Sequence, residues 1–138
     1  MNTIHKITLA AALGMIGLLA CTASIAGAPD ISGTYKCSGV DSGSPSNPNF
    51  NESIVIKKNG DVFNIQAIHS GDLVPYDLGT AVFNKDVNNA FAYVYWGVKD
   101  NSTFGIELMT IKPDGSFDGV YLDSSETKPS TETCTKSS

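Results

Sequence analysis

The chain has 138 residues and a mass of 14.5 kDa, the size of a single domain. Charged residues make up 17% of it and the hydrophobic set 41%, with 13 glycines, which argues against a disordered tail or a coiled coil. Its formal net charge is −5 and all nine basic residues are Lys, so the side chain best suited to phosphates and base edges is missing and a nucleic-acid partner is disfavoured.

The segment from Met1 to Lys6 carries one Lys, and Ile7 to Ala20 is an uncharged run of about fourteen residues. This is the pattern of a secretory signal, and it is shorter than the roughly 20 apolar residues of a transmembrane helix. Leu18-Leu19-Ala20-Cys21 resembles the lipobox of bacterial lipoproteins, which implies lipidation of Cys21 as the first residue of the mature chain. Ordinary cleavage after residue 26 or 28 stays open beside it. Either reading exports the protein, to the periplasm or outer membrane as a lipoprotein or to the medium as a free protein. The expected organisation is a signal at 1–20, a linker at 21–30 and one β domain at 31–138. Membrane contact is expected only through the N-terminal lipid.

Export leaves Cys37 and Cys134, one near each end of the domain. In an oxidising compartment two such thiols read as a disulfide closing a loop of about a hundred residues. A pair of free or metal-binding thiols is the alternative, and two lone Cys without a nearby His make a poor zinc site.

No segment carries a helical stripe over three turns. Short runs of β-branched and aromatic residues alternate instead with turn chemistry. Strands are predicted at Ile31 to Val40, Phe50 to Lys58 and Val62 to Ile68, the last two joined at Asn59-Gly60-Asp61, where Asn-Gly accepts a tight hairpin. A loop from His69 to Asp77 holds Gly71, Asp72 and Pro75. Further strands follow at Leu78 to Asn84, Ala90 to Trp96, Phe104 to Ile111, Phe117 to Leu122 and Thr131 to Lys136, with Lys112-Pro113-Asp114-Gly115 as a type I turn. The expected fold is all-β: an antiparallel up-and-down meander of about eight strands closed into a small barrel, with a β-sandwich as the alternative. A Cys37–Cys134 bond would join the first strand to the last, as closure requires. In the third strand Phe63, Ile65 and Ala67 share one face against Asn64 and Gln66. By the same rule Phe104, Ile106 and Leu108 are expected inside and Glu107 in water. The fifth strand, with Phe91, Tyr93 and Tyr95 on one face and Ala92, Val94 and Trp96 on the other, has no polar face.

Gly33-Thr34-Tyr35 resembles the Gly-x-Trp opening of lipocalins and the Gly-Thr-Trp of avidins, eight-stranded barrels that bind small ligands at an open mouth. Tyr stands here for their Trp. Tyr35-Lys36-Cys37 with Cys134 is similar to the membrane-bound C-type lysozyme inhibitors, which pair such a Cys with one near the C-terminus and plug the enzyme cleft with a Ser-Gly-x-x-Tyr loop. The spacing from Ser70-Gly71 to Tyr76 is longer than that motif, so no inhibitory residue carries over. The Asp114-Gly115 hairpin with Gly119 and Tyr121 resembles exported bacterial β-proteins of no assigned function.

No catalytic constellation stands out. His69, Ser70 and Asp72 lack a nucleophile elbow, and Glu107 would suit a general acid only inside a dry barrel. Asp86, Asn88, Asn89 and Asp114 offer calcium-type oxygens without an EF-hand spacing and read as plain turns. No metal or cofactor is expected. The aromatic group Tyr93, Tyr95 and Trp96 either completes the core or forms a contact surface. The candidate binding residues are Trp96, Tyr95, Tyr93, Tyr76, Asp72 and His69, with the Asn47 region on the same rim if the strand order holds. The expected function is a non-catalytic binding or interaction protein, taking a small apolar ligand in an apolar cavity or a protein of the envelope or host. An enzyme inhibitor with a filled interior and a protruding His69 to Asp77 loop is the second reading, and a hydrolase the third.

Overall fold

The computed structural model describes residues 29–84, 86–87, 89–100 and 102–137. The expected signal, the expected linker up to residue 28 and the expected lipidation of Cys21 lie outside these residues. Eight strands follow in order: β1 (Gly33–Val40), β2 (Asn49–Asn59), β3 (Val62–His69), β4 (Asp77–Phe83), β5 (Ala90–Gly97), β6 (Phe104–Ile111), β7 (Phe117–Asp123) and β8 (Ser130–Lys136). Each pairs antiparallel with the next, and β8 returns to β1 to close the barrel. The meander follows from the turn chemistry. Gly60 takes φ 63° in the β2–β3 hairpin and Gly115 takes φ 80° in the β6–β7 turn, both values that favour glycine.

Closure is sealed covalently. Cys37 and Cys134 are directly opposite each other on β1 and β8 and form a disulfide buried inside the wall.

An eight-stranded barrel is just wide enough for side chains to fill it, and here one end is filled. Tyr35, Ile56, Phe63, Phe91, Met109 and Phe117 are buried there. The ring of Tyr35 lies 4.5 Å from Phe117, which lies 5.3 Å from Phe91. Each such side chain contributes about 1.5–3 kcal/mol by burial. The segment before β1 lies over this end, where Tyr35 Oη donates to the Ile31 carbonyl at 2.9 Å.

Glycines make room where large side chains lean across the lumen. A Cβ on Gly105 would strike the Tyr95 ring, one on Gly119 the Glu107 carboxyl, and one on Gly39 both the Phe50 ring and the Thr131 carbonyl. Two backbones converge at Gly39, so neither can retreat. Gly39→Ala is expected to destabilise the fold by about 1–3 kcal/mol. A urea midpoint within error of the wild type would contradict this reading of the packing.

The structure overturns one sequence expectation. Glu107 is only 2% exposed, while Phe104, Ile106 and Leu108 are 56%, 49% and 60% exposed. The whole of β6 is turned relative to its hydrophobic pattern, with Gly105, Glu107 and Met109 inside. Register explains it. Glu107 is opposite Tyr93 on β5 and Tyr121 on β7, and the inward face of β5 is committed to Phe91, Tyr93 and Tyr95. Ile106 aligns with Val94 and Leu122, Leu108 with Ala92 and Val120, and Phe104 with Trp96. These outer rows bury part of their surface against one another, which is how a sheet face tolerates them.

Candidate functional site

The other end of the barrel is open, holding a cavity of about 170 Å³. It lies where β2, β4, β6 and β8 begin and β3, β5 and β7 end, below the loop residues 41–48, 70–76, 98–100, 102–103 and 124–129. Six carboxylic acids line it: Glu52 from β2, Asp77 from β4, Glu107 from β6, Asp123 from β7, Glu132 from β8 and Asp41 just after β1. Among the described residues no Lys is in the lining, and His69 is its one basic side chain. Tyr76, Tyr93, Tyr95, Tyr121 and Phe50 supply the ring surface, and Ala67 adds a methyl group.

Three of the acids are deeply set, since Glu52, Glu107 and Glu132 are all buried. Glu132 shares hydrogen bonds with both Glu52 and Glu107. Carboxyl groups so placed cannot all ionise, because each charge loses hydration and repels the next. Burial, followed by the repulsion of Glu107 and Glu52, pushes Glu132 up to about 11. Burial lifts Glu107 to about 7 against hydrogen bonds from Tyr93 and Glu132 that favour its ionised form, and burial raises Glu52 as well. Glu132 Oε1 also lies 3.2 Å from Cys134 Sγ. That sulfur is held in the disulfide and has no proton to give, so the contact suits a protonated acid that can point its O–H at sulfur.

The rim is held by tyrosines. Tyr76 Oη donates to Glu52 Oε2, and Tyr95 Oη donates to Asp123 Oδ1. Burial and the adjacent carboxylates raise both phenols, so both stay protonated donors. The His69 ring stacks on Tyr76, centroids 3.7 Å apart and 3° from parallel. Asp77 is lifted to about 6 by burial and then by Asp123 and Glu52.

Glu107 Oε1 is buried with no hydrogen-bond partner among the described residues. It occupies the space left by the missing side chain of Gly119. A buried acceptor without a donor costs about 1–3 kcal/mol, and more when charged.

Of the residues expected from sequence to form a binding surface, Tyr93, Tyr95, Tyr76 and His69 line this cavity. Trp96 is on the outer wall, half-exposed beside Phe104, and Asp72 is exposed in the loop beyond His69. The Asn47 region borders a groove shared with His69 and Ser70 on the same rim. Sequence reasoning missed Glu52, Glu132, Asp77, Asp123, Asp41 and Tyr121 as a group, and assigned Glu107 to solvent. For Glu107 the available signal was Gly105 on the same face of β6 and Gly119 opposite Met109 on β7, because barrel interiors alternate small with large.

The one set of Cys, Asp, Glu and His side chains among the described residues whose ligand atoms all lie within 4.8 Å of one another is Cys37, Glu132 and Cys134. The disulfide occupies both sulfurs, so this set does not offer thiolate ligands. No family profile, curated protein or solved structure matches the chain.

Proposed function

We propose that the protein is a non-catalytic, exported binding protein of the bacterial envelope that receives a small ligand in the open end of its barrel. The observation that carries this reading is the cavity of about 170 Å³, in a barrel whose other end is packed solid. An engineered cavity of about 150 Å³ accepts benzene, so this volume suits a compact molecule rather than a lipid chain. Its acidic lining turns the ligand class away from the small apolar molecule that an apolar cavity would take. The closed wall and the cross-strand disulfide give the site a rigid frame, which lowers the ordering cost of binding.

Ala67 is the small side chain in the lining, and Ala67→Phe fills the space beside it. Wild-type protein is expected to gain thermal stability with at least one compound from a panel of small molecules. A ligand at a hundredfold excess over its Kd adds about 2.7 kcal/mol. Ala67→Phe, verified as folded by far-UV circular dichroism, is expected to show no gain. A panel without any stabilising compound, or equal gains in the filled variant, would contradict the reading.

A second reading has its own observation. The loop at 70–76 presents Leu73, 95% exposed, and Val74, 64% exposed, beside the mouth. Apolar residues at a loop tip suit insertion into a partner's cleft, the mode of an enzyme inhibitor.

A further inference from the structure

We propose that the ligand of this cavity is a small organic amine, held as its ammonium ion among Glu52, Glu107 and Glu132. The inference rests on the binding reading above and names the chemistry of its ligand.

Three features of the cavity converge on a cation. Its lining is acidic on five strands and one loop, with no Lys among the described residues to pair the carboxyl groups. Glu107 Oε1 is a buried acceptor lacking a donor, and an ammonium brings three. Tyrosine rings surround the carboxyls, and a ring face attracts an organic cation most strongly where water is excluded. An anion or a neutral apolar body would leave Glu107 Oε1 unpaired.

The geometry also separates an amine from a divalent metal ion. Calcium takes six to eight oxygens at 2.3–2.6 Å. Among the described residues Glu52, Glu107 and Glu132 do not bring three ligand oxygens within 4.8 Å of one another. Glu132 bridges Glu52 and Glu107 without the three closing their oxygens around one point, and an ammonium that donates to separate carboxyls suits that arrangement. The volume admits a ring of benzene size, with the remainder of the ligand toward the mouth.

Binding is then tied to proton release. Glu107 sits near pH 7 because of its burial, and an arriving positive charge favours its ionised form. The groups facing it are Tyr93 on β5, Tyr121 on β7, Glu132 on β8 and Glu52 on β2, with Asp77, Asp123 and His69 nearer the mouth. If one carboxyl with a pKa near 7 must ionise, affinity is about tenfold weaker at pH 6 than at pH 8.

The test is titration calorimetry of the disulfide-bonded protein with benzylamine, benzyl alcohol and calcium chloride, each at pH 6 and pH 8. Heats in buffers of different ionisation enthalpy count the protons released. Benzylamine is expected to bind at least tenfold more tightly than benzyl alcohol, to release protons, and to weaken about tenfold at pH 6. Glu107→Gln and Glu132→Gln, which keep the side-chain shape, are each expected to weaken benzylamine at least tenfold at pH 8 while remaining folded by circular dichroism. Benzyl alcohol binding as tightly as the amine would overturn the cation inference and leave the binding reading standing. Calcium binding without benzylamine binding would overturn it in favour of a metal ion. No binding by any of the three would overturn it too. The broader panel against wild type and Ala67→Phe then decides whether the binding reading falls with it.

Discussion

Replacing Cys37 and Cys134 together by Ala is expected to cost the fold about 2–5 kcal/mol. The two residues are 97 positions apart and meet across the seam between the first strand and the last. In the reduced chain that seam must form without a covalent tie, and the unfolded ensemble regains the freedom that the cross-link removed. The chain-entropy account gives about 4–5 kcal/mol for a loop of roughly a hundred residues. Native domains of this size hold only about 5–15 kcal/mol, so the loss takes a large share of the margin. Ala is the better replacement than Ser, because the disulfide is buried and a hydroxyl there would need a partner. Urea unfolding of the wild type with and without reductant, and of the double variant, measures the effect. A difference below about 0.5 kcal/mol would mean that strand pairing alone holds the seam.

Stability is expected to fall, not rise, between pH 5 and pH 8. The acid cluster sets this sign. Glu107, Glu132 and Glu52 all have pKa values raised by burial, so the folded protein binds protons that the unfolded chain has already released. Their contribution is fully present below the ordinary Glu range and is lost as pH rises toward each folded value. For Glu107, lifted from 4.5 to about 7, the loss over that window is on the order of 3 kcal/mol. Glu132, lifted to about 11, keeps the same sign up to that pH. Below pH 4 the direction reverses. Asp114 and Asp118 are held low by hydrogen bonds from Ser116 and Lys112 respectively, and acid removes what they contribute. The stability maximum therefore falls near pH 4–5. Glu107→Gln and Glu132→Gln are each expected to flatten the profile and to raise stability at pH 8 by about 1–3 kcal/mol. Thermal melts across pH 3–9 provide the check. A wild type more stable at pH 8 than at pH 5, or a Gln variant less stable at pH 8, would show that the cluster is ionised and satisfied in the fold.

A protein that is more stable when these acids are neutral, and less stable when they ionise, carries a cost that the proposed ammonium would offset at neutral pH. The pH profile and the amine titration thus probe the same carboxyls through independent readouts. A shallower pH slope on saturation with benzylamine is the shared expectation, because the ion replaces the proton of Glu107 as counter-charge and leaves that of Glu132 in place.

The strand pattern was legible wherever one face of a strand is polar. Phe63, Ile65 and Ala67 alternate with Asn64 and Gln66, and the structure buries the apolar three. The turns were legible because Asn59-Gly60 and Pro113-Asp114-Gly115 have few other uses. Cys37 and Cys134 indicated the closing seam, since their pairing joins the first strand to the last. Strand β6 was not legible. Its apolar residues alternate cleanly, yet they face outward, because hydrophobicity reports only that a face avoids water and not whether lumen or outer wall covers it. Two neighbouring strands settled the question by presenting Val94, Val120 and Leu122 to the same outer rows.

The amino-acid sequence by itself determined the class of the fold, the number and order of its strands, its turns and its covalent seam. These depend on residues close together in the chain, or on the only two cysteines in the domain. The tertiary structure alone decided that Glu52, Glu107 and Glu132 meet. They come from β2, β6 and β8; Glu52 shares the alternating face of Ile54 and Ile56 and Glu132 that of Cys134, but nothing in the chain says that the three carboxyls come together. Closing the barrel fixes which of two alternating faces becomes the lumen for every strand at once. That single choice placed the carboxyls together, out of water.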